Sequence, residues 1–106
     1  MHQISVPDLQ VLLQLDPLIF MVDVREEEEH EQYNIGGINI PLGEIMQQAA
    51  IIPKSTKVIF YCKRGIRSAI AIQRLEEKFG YTNLLNLQGG TEEWKRMNRE
   101  SGEGPI

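Results

Sequence analysis

The chain has 106 residues, of which 42% are hydrophobic and 25% charged, and this composition is typical of one small globular domain. Fifteen acidic and eleven basic residues give a net charge of −4, which argues against nucleic acid and anionic lipid as partners. One cysteine and two histidines distant from it in sequence exclude an internal disulfide and a structural zinc site. We therefore expect a single domain over 1–106, ending in a loose tail at 101–106, that holds neither metal nor cofactor.

The first residues show no secretion signal, and the apolar runs are no longer than five residues. These features predict a chain without a membrane segment. Together with a single thiol that a reducing compartment would keep free, they predict a cytoplasmic protein. Nothing in the composition requires assembly, so we expect a monomer.

The first third of the chain alternates helical and extended patterns. Ser5 and Asp8 have the spacing of a capping box, and the leucines that follow repeat at helical intervals, which predicts a helix over 6–15. The apolar run 18–22 predicts a strand that is buried on both faces and ends at Asp23. The charge-dense segment 26–31 predicts a short helical turn.

The middle of the chain continues this alternation. Ile38, Ile40 and Leu42 alternate with polar residues or proline, which predicts an edge strand. The apolar residues of 42–50 have the spacing of an amphipathic helix that Pro53 would close.

The last half repeats the pattern twice more. Residues 58–62 are strongly apolar and predict a strand that ends in Cys62, followed by a helix that stops at Gly80. Residues 84–87 predict the last strand, and a helix then opens at Gly89–Gly90. Apolar strands that alternate with amphipathic helices predict an α/β domain with a mainly parallel sheet, in which ligands bind at the carboxyl ends of the strands.

The segment from Cys62 to Ser68, CKRGIRS, stands at such a strand end and combines a thiol, three cations and a glycine before a helix. Cations and a helix N-terminus lower the pKa of a thiol, and the thiolate is the nucleophilic form. Gly65 permits a tight turn whose amides could hold an anion above the sulfur. A lone cysteine is most often an inert buried side chain, but these surroundings favour a catalytic role for Cys62.

Four segments in this order resemble the rhodanese homology domain of the single-domain kind. They are Asp23-Val24-Arg25-Glu26, Ile35 to Leu42, the C-x-x-G-x-R-S loop, and Leu87-Gln88-Gly89-Gly90 with Trp94. The resemblance covers essentially the whole chain. It implies a five-stranded parallel sheet of order 1-5-4-2-3 flanked by helices, and sulfurtransferase chemistry through a cysteine persulfide.

Carried over to this sequence, the resemblance implies that Cys62 is the nucleophile and that the following loop residues form the substrate cradle. These residues are Lys63, Arg64, Gly65, Ile66, Arg67 and Ser68. Asp23 and Arg25 would support the site, with Asp23 paired either to Arg67 or to the loop amides. The expected substrates are a small anionic sulfur donor such as thiosulfate and a cyanide or thiol acceptor, which could be a protein thiol.

One position departs from the family pattern. Similar domains often have histidine just before the Ile-x-Gly-Ala stretch, whereas this chain has Asn34, with Gly37 next to Gly36. Asparagine also donates and accepts hydrogen bonds, so we expect altered support of this loop and retained activity.

Three alternatives to an enzyme of this type remain open: a persulfide carrier, a binding module on the same fold, and a cysteine phosphatase. Phosphatases of related fold place five residues between cysteine and arginine, whereas four separate Cys62 from Arg67. A binding module would be favoured by an absent cysteine, which this chain retains.

Other features have simpler interpretations. We interpret Glu26 to Glu29 as a solvated helical turn and His30 as exposed. Gly89–Gly90 lacks the spacing of a dinucleotide-binding loop and is expected to let the backbone pass close to the cysteine loop, while Trp94 is expected to pack in the core.

Overall fold

The structure is a computed structural model that describes residues 2–100, with the side chains of 2–99. The predicted tail at 101–106 lies outside the described residues. In the described part, five strands form one parallel sheet, and their order is the one that the resemblance implies, 1-5-4-2-3. The strands are β1 (His2–Ile4), β2 (Phe20–Asp23), β3 (Ile38–Asn39), β4 (Val58–Tyr61) and β5 (Leu84–Leu87).

The described residues also form four α-helices: α1 (Val6–Leu15), α2 (Glu27–Gln32) and α3 (Ile66–Phe79), which connect strands, and α4 (Gly90–Glu100), which follows β5. The first begins as predicted, because the Ser5 hydroxyl accepts a hydrogen bond from the amide of Asp8 at 3.2 Å. The third ends at Gly80, whose φ of +70° is readily adopted by glycine. The bounds predicted for the first helix and the end predicted for the third are therefore confirmed.

Alternate residues of the central strand β4 divide the core into two layers. Val58 and Phe60 pack into one cluster, to which Cys62 and the inner face of α3 also belong. Ile59 and Tyr61 pack into the other, with residues of α1 and α4, and Trp94 packs against this second cluster as expected. Because β4 is covered on both sides, its end is held rigidly where Cys62 follows it.

Two predicted elements differ from the structure. The segment 42–50 is not an amphipathic α-helix but two short 3₁₀ helices, Leu42–Glu44 and Ala49–Ile51. Its periodicity identified buried residues such as Ile45 and Ala49 correctly, but residues spaced three or four apart share a face in either kind of helix. The run 18–22 begins its strand only at Phe20, because the amides of Leu18 and Ile19 donate to Asp16 in a preceding turn that leaves Leu18 92% exposed.

Candidate active site

Cys62 lies directly after β4, and the loop that follows curls over its sulfur. The amide of Gly65 donates to Sγ at 3.1 Å, and the amide of Ser68 donates at 3.4 Å from the first turn of α3. Gly65 has a φ of +94°, which is why this tight turn requires glycine. The loop therefore aims backbone amides at the sulfur, as the sequence predicted.

Hydrogen bonding makes the thiol more acidic than an ordinary cysteine. Burial alone opposes ionisation, since Cys62 is only 1% exposed. Hydrogen bonds from the Ser68 hydroxyl and from the amides of Ser68, Arg64 and Gly65 outweigh this effect and hold the pKa of the Cys62 thiol below its usual value. The sulfur is thus buried among donors that favour the thiolate.

Asn86 on β5 links the middle of the loop to its last residue and was not identified from the sequence. Its side-chain nitrogen donates to the carbonyl of Gly65 at 3.0 Å, and its oxygen accepts from the Ser68 hydroxyl at 2.5 Å. The same hydroxyl lies 3.3 Å from the sulfur of Cys62. Serine has one hydroxyl proton. While Cys62 is a neutral thiol, the Ser68 hydroxyl can donate this proton to Asn86 and accept from the thiol. To donate to the thiolate, the hydroxyl must turn away from Asn86.

The start of α4 holds the loop from one side through the backbone. The amides of Thr91 and Glu92 donate to the carbonyls of Cys62 and Lys63 at 2.9 and 3.0 Å. Gly90 has a φ of +60°, and a Cβ there would overlap these carbonyls. The predicted role of Gly89–Gly90, to let the backbone pass close to the cysteine loop, is confirmed for Gly90, whereas a Cβ at Gly89 would meet the side chain of Glu93.

Helix α2 holds the loop from the other side through an ion pair. The guanidinium of Arg67 donates to both carboxylate oxygens of Glu29, at 2.7 and 3.0 Å. This interaction, with a hydrogen bond from the Glu26 amide, lowers the pKa of Glu29 from an ordinary 4.5 to about 2, against the opposing effect of burial. The interpretation of 26–29 as a merely solvated turn is therefore wrong for Glu29, whose partner lies 38 positions away in sequence.

Asp23 and Arg25 form a buried pair beneath α2, and this corrects the pairing expected for Asp23. The Asp23 carboxylate accepts from the backbone and the guanidinium of Arg25, which also donates to the carbonyl of Tyr33 at 2.6 Å. Nδ1 of His30 lies 2.9 Å from the same carboxylate, so His30 is half-buried and not exposed. Arg67 is paired with Glu29, and Asp23 is instead engaged in shaping the turn that leads into α2.

The remaining predicted cradle residues lie on the outside of the loop. Lys63, Arg64 and Ile66 are exposed, and Arg64 pairs with Glu92 at 3.0 Å. A cavity of about 240 Å³ lies between α2 and α4, and Lys63, Lys95, Glu29 and Glu92 are among its lining residues. This cavity, which forms the mouth of the cysteine loop, thus presents both ammonium and carboxylate groups.

Asn34 supports its loop by local hydrogen bonds. Its side chain accepts from the amide of Gly36 at 2.9 Å and donates to the carbonyl of His30 at 3.0 Å. Gly37, with φ of +85°, leaves no room for a Cβ against the backbone of Met21. Support of this loop in the absence of the usual histidine is therefore explained, whereas its effect on activity stays a prediction.

The described residues 2–99 hold no group of three or more histidine, cysteine or acidic side chains that could bind a metal ion. In the same part of the chain, none of the helices combines the length and the apolar character that a bilayer crossing requires.

Comparison with known proteins gives consistent results. Residues 5–97 match the family described as "Rhodanese-like domain". A sulfurtransferase of Allochromatium vinosum is 35% identical over 79 residues, which are 74% of this chain and 73% of that protein. The crystal structure of a rhodanese-related protein from Thermoplasma volcanium has a TM-score of 0.79 at 28% identity, covering 92% of this chain and 93% of the other.

A third relative has a different name. The Bacillus subtilis protein "Putative sulfur carrier protein YrkF" is 29% identical over 93 residues, which are 87% of this chain. The chain spans half the length of that protein.

Proposed function

The chain belongs to the rhodanese-like domain family, and we propose that it moves sulfane sulfur from a small anionic donor to a thiol or cyanide acceptor through a persulfide on Cys62. The observation that carries this proposal is the sulfur of Cys62, which meets the amides of Gly65 and Ser68 at the end of a central strand. Thiosulfate is the simplest donor of this class.

The first half-reaction is a nucleophilic displacement at sulfur. The Cys62 thiolate attacks the outer sulfur of thiosulfate, the new bond joins Sγ to that sulfur, and the sulfur–sulfur bond of the donor breaks with its electron pair leaving on sulfite. The loop amides, which already face Sγ, stabilise the negative charge on the persulfide.

In the second half-reaction an acceptor thiolate or cyanide attacks the outer sulfur and releases the Cys62 thiolate. The acceptor would approach over Lys63 to Ser68, where the exposed side chain of Lys63 can attract an anion. A protein thiol is one such acceptor, and we propose that the chain acts as a cytoplasmic monomer.

A persulfide carrier is the second candidate, and the resemblance to a protein named as a sulfur carrier favours it. Carrier and enzyme share the loaded Cys62 and differ in the second half-reaction. An enzyme discharges repeatedly to small acceptors, whereas a carrier discharges quickly only to a particular protein partner.

Replacement of the nucleophile tests the proposal directly. Because Cys62 is the one cysteine of the chain, a mass increase of one sulfur atom after incubation with thiosulfate, removable by cyanide, reports its persulfide. We expect Cys62→Ser to lose both this adduct and the release of sulfite, with an unchanged circular dichroism spectrum. Sulfite release by the variant at the wild-type rate would contradict the proposal, and turnover of an aryl phosphate without thiosulfate turnover would favour a phosphatase.

A further inference from the structure

We propose that Glu29 determines which donor the cysteine loop accepts, by occupying Arg67, so that the chain prefers the persulfides of small uncharged thiols to the dianion thiosulfate. This inference rests on the proposed function and names the substrate class of the same site. Glu29 acts through Arg67 and is therefore a positioning residue.

The first step of the argument is the geometry of the ion pair. Two nitrogens of Arg67 meet two oxygens of Glu29, so one whole edge of the guanidinium is engaged. Each side chain keeps 33% of its surface exposed, and Glu29 lines the cavity beside the loop together with Lys63, so an incoming substrate can reach the pair. Arg67 consequently has less freedom to cap an incoming dianion than its position in the loop suggests.

The second step is that the carboxylate is fixed and charged. One oxygen of Glu29 also accepts a hydrogen bond from the amide of Glu26 at 3.1 Å, which ties the side chain to the start of its own helix. Since the pKa of Glu29 is about 2, the group carries its negative charge at any pH at which the protein would work. A dianionic donor therefore meets a permanent negative charge beside Arg67.

The third step concerns the other charges at the mouth. Arg64 is paired with Glu92, and the cavity beside the loop combines Lys63 and Lys95 with Glu29 and Glu92. This mixture attracts a dianion less than three unpaired loop cations would. The Cys62 thiolate adds a further negative charge at the point of attack.

An organic persulfide fits these charges better and undergoes the same displacement. The Cys62 thiolate attacks the outer sulfur of R–S–SH, Sγ bonds to that sulfur, and the sulfur–sulfur bond breaks with its electron pair leaving as R–S⁻. The persulfide proton stays with the transferred sulfur, so atoms and electrons balance without an oxidant or a reductant. The donor brings at most one negative charge to the mouth.

The test compares two donors in Glu29→Gln. We measure the rate at which Cys62 gains one sulfur atom from thiosulfate and from 2-hydroxyethyl persulfide, whose carrier is uncharged. We expect the wild type to favour the persulfide, and the variant to use thiosulfate roughly three- to tenfold better relative to the persulfide, because removal of one nearby charge has effects of this order. The gain should lie mainly in the apparent KM for thiosulfate and should shrink with added salt.

A matched control separates this local effect from a change in net charge. Glu28→Gln removes the same charge from an exposed neighbour on the same short helix and should leave the ratio of the two donors unchanged. A second donor pair, 2-hydroxyethyl and 2-sulfoethyl persulfide, differs mainly in the charge of the organic group. Glu29→Gln should narrow the difference between the rates at which these two donors load Cys62.

The outcomes distinguish the inference from the function on which it rests. An unchanged donor ratio in Glu29→Gln, an equal change in Glu28→Gln, or an equal loss of both donors in Glu29→Gln would overturn the assignment to Glu29. Failure of the wild type to load from either donor would refute the proposed function itself.

Discussion

The cysteine loop is held from two sides that are built differently. On the α4 side the contacts are between backbone atoms, with Gly90 against the carbonyls of Cys62 and Lys63. On the α2 side the contact is a pair of charged side chains, Arg67 and Glu29. The backbone contacts fix the position of the loop, whereas the side-chain contact also sets the charge that a substrate meets.

The largest effect is expected from a substitution on the backbone side. Gly90→Ala would place a Cβ against two carbonyls at a φ that favours glycine, so we expect it to lower the free energy of unfolding by about 2 to 4 kcal/mol and to abolish sulfur loading. Urea denaturation and mass spectrometry of the thiosulfate-treated protein measure the two effects.

Gly80→Ala is the matched control for this substitution. Gly80 has a similar φ of +70°, but a Cβ built there would have no atom within 4 Å other than those of Gly80 and its chain neighbours. We expect Gly80→Ala to lower the free energy of unfolding by only about 1 to 2 kcal/mol and to leave sulfur loading unchanged. If the two substitutions changed stability and sulfur loading equally, the contact of Gly90 with the loop carbonyls would contribute to neither.

Removal of the hydroxyl beside the sulfur should have an intermediate effect. Ser68→Ala removes the hydroxyl that can turn from Asn86 to donate to the thiolate, and it leaves the loop amides in place, so we expect the pKa of Cys62 to rise toward its ordinary value. The rate of alkylation at neutral pH should fall roughly five- to tenfold and recover at alkaline pH, where the thiol ionises without help.

The pH profile of that alkylation is the measurement, and Ser55→Ala, an exposed serine, serves as its control. The lowered pKa of Cys62 also predicts how stability depends on pH. Because the folded pKa of Cys62 lies below the unfolded one, its contribution to stability is complete above the unfolded pKa and is lost as the pH falls through the folded value. An unchanged alkylation midpoint in Ser68→Ala would contradict a role for its hydroxyl.

The smallest effect is expected at the exposed cation. Arg64 is 66% exposed and its partner Glu92 is 45% exposed, so water screens this pair. Arg64→Ala should change the free energy of unfolding by less than about 0.5 kcal/mol and thiosulfate loading by less than about twofold. If Arg64→Ala lowered stability and thiosulfate loading as much as Gly90→Ala, the loop would depend on this cation and not on the backbone contacts.

The same comparison explains what the sequence could predict. The thiol, the cations and the glycine of the cysteine loop stand within seven residues of the sequence. Their order therefore indicated a reactive cysteine before the fold was known. Gly90 was interpretable because the sheet topology brings the end of β5 next to that of β4. Glu29 and Asn86 were missed because their partners lie 38 and 18 positions away, and a glutamate in an acidic run has no local sign that sets it apart.

Two features of the fold could not be predicted from residue patterns alone. β1 has three residues, too few for an alternating pattern to be recognised, and only the resemblance to a known family anticipated it. The 3₁₀ helices of 42–51 bury the residues that an α-helix would bury, so periodicity does not separate the two.

The backbone contacts from α4 also have a consequence for biosynthesis. The amides that hold the carbonyls of Cys62 and Lys63 belong to Thr91 and Glu92, which a ribosome adds almost thirty residues after the cysteine. A nascent chain that ends before them contains every residue of the CKRGIRS loop but lacks the part that fastens it. The loop can therefore be fastened from this side only after residues 91 and 92 have been added.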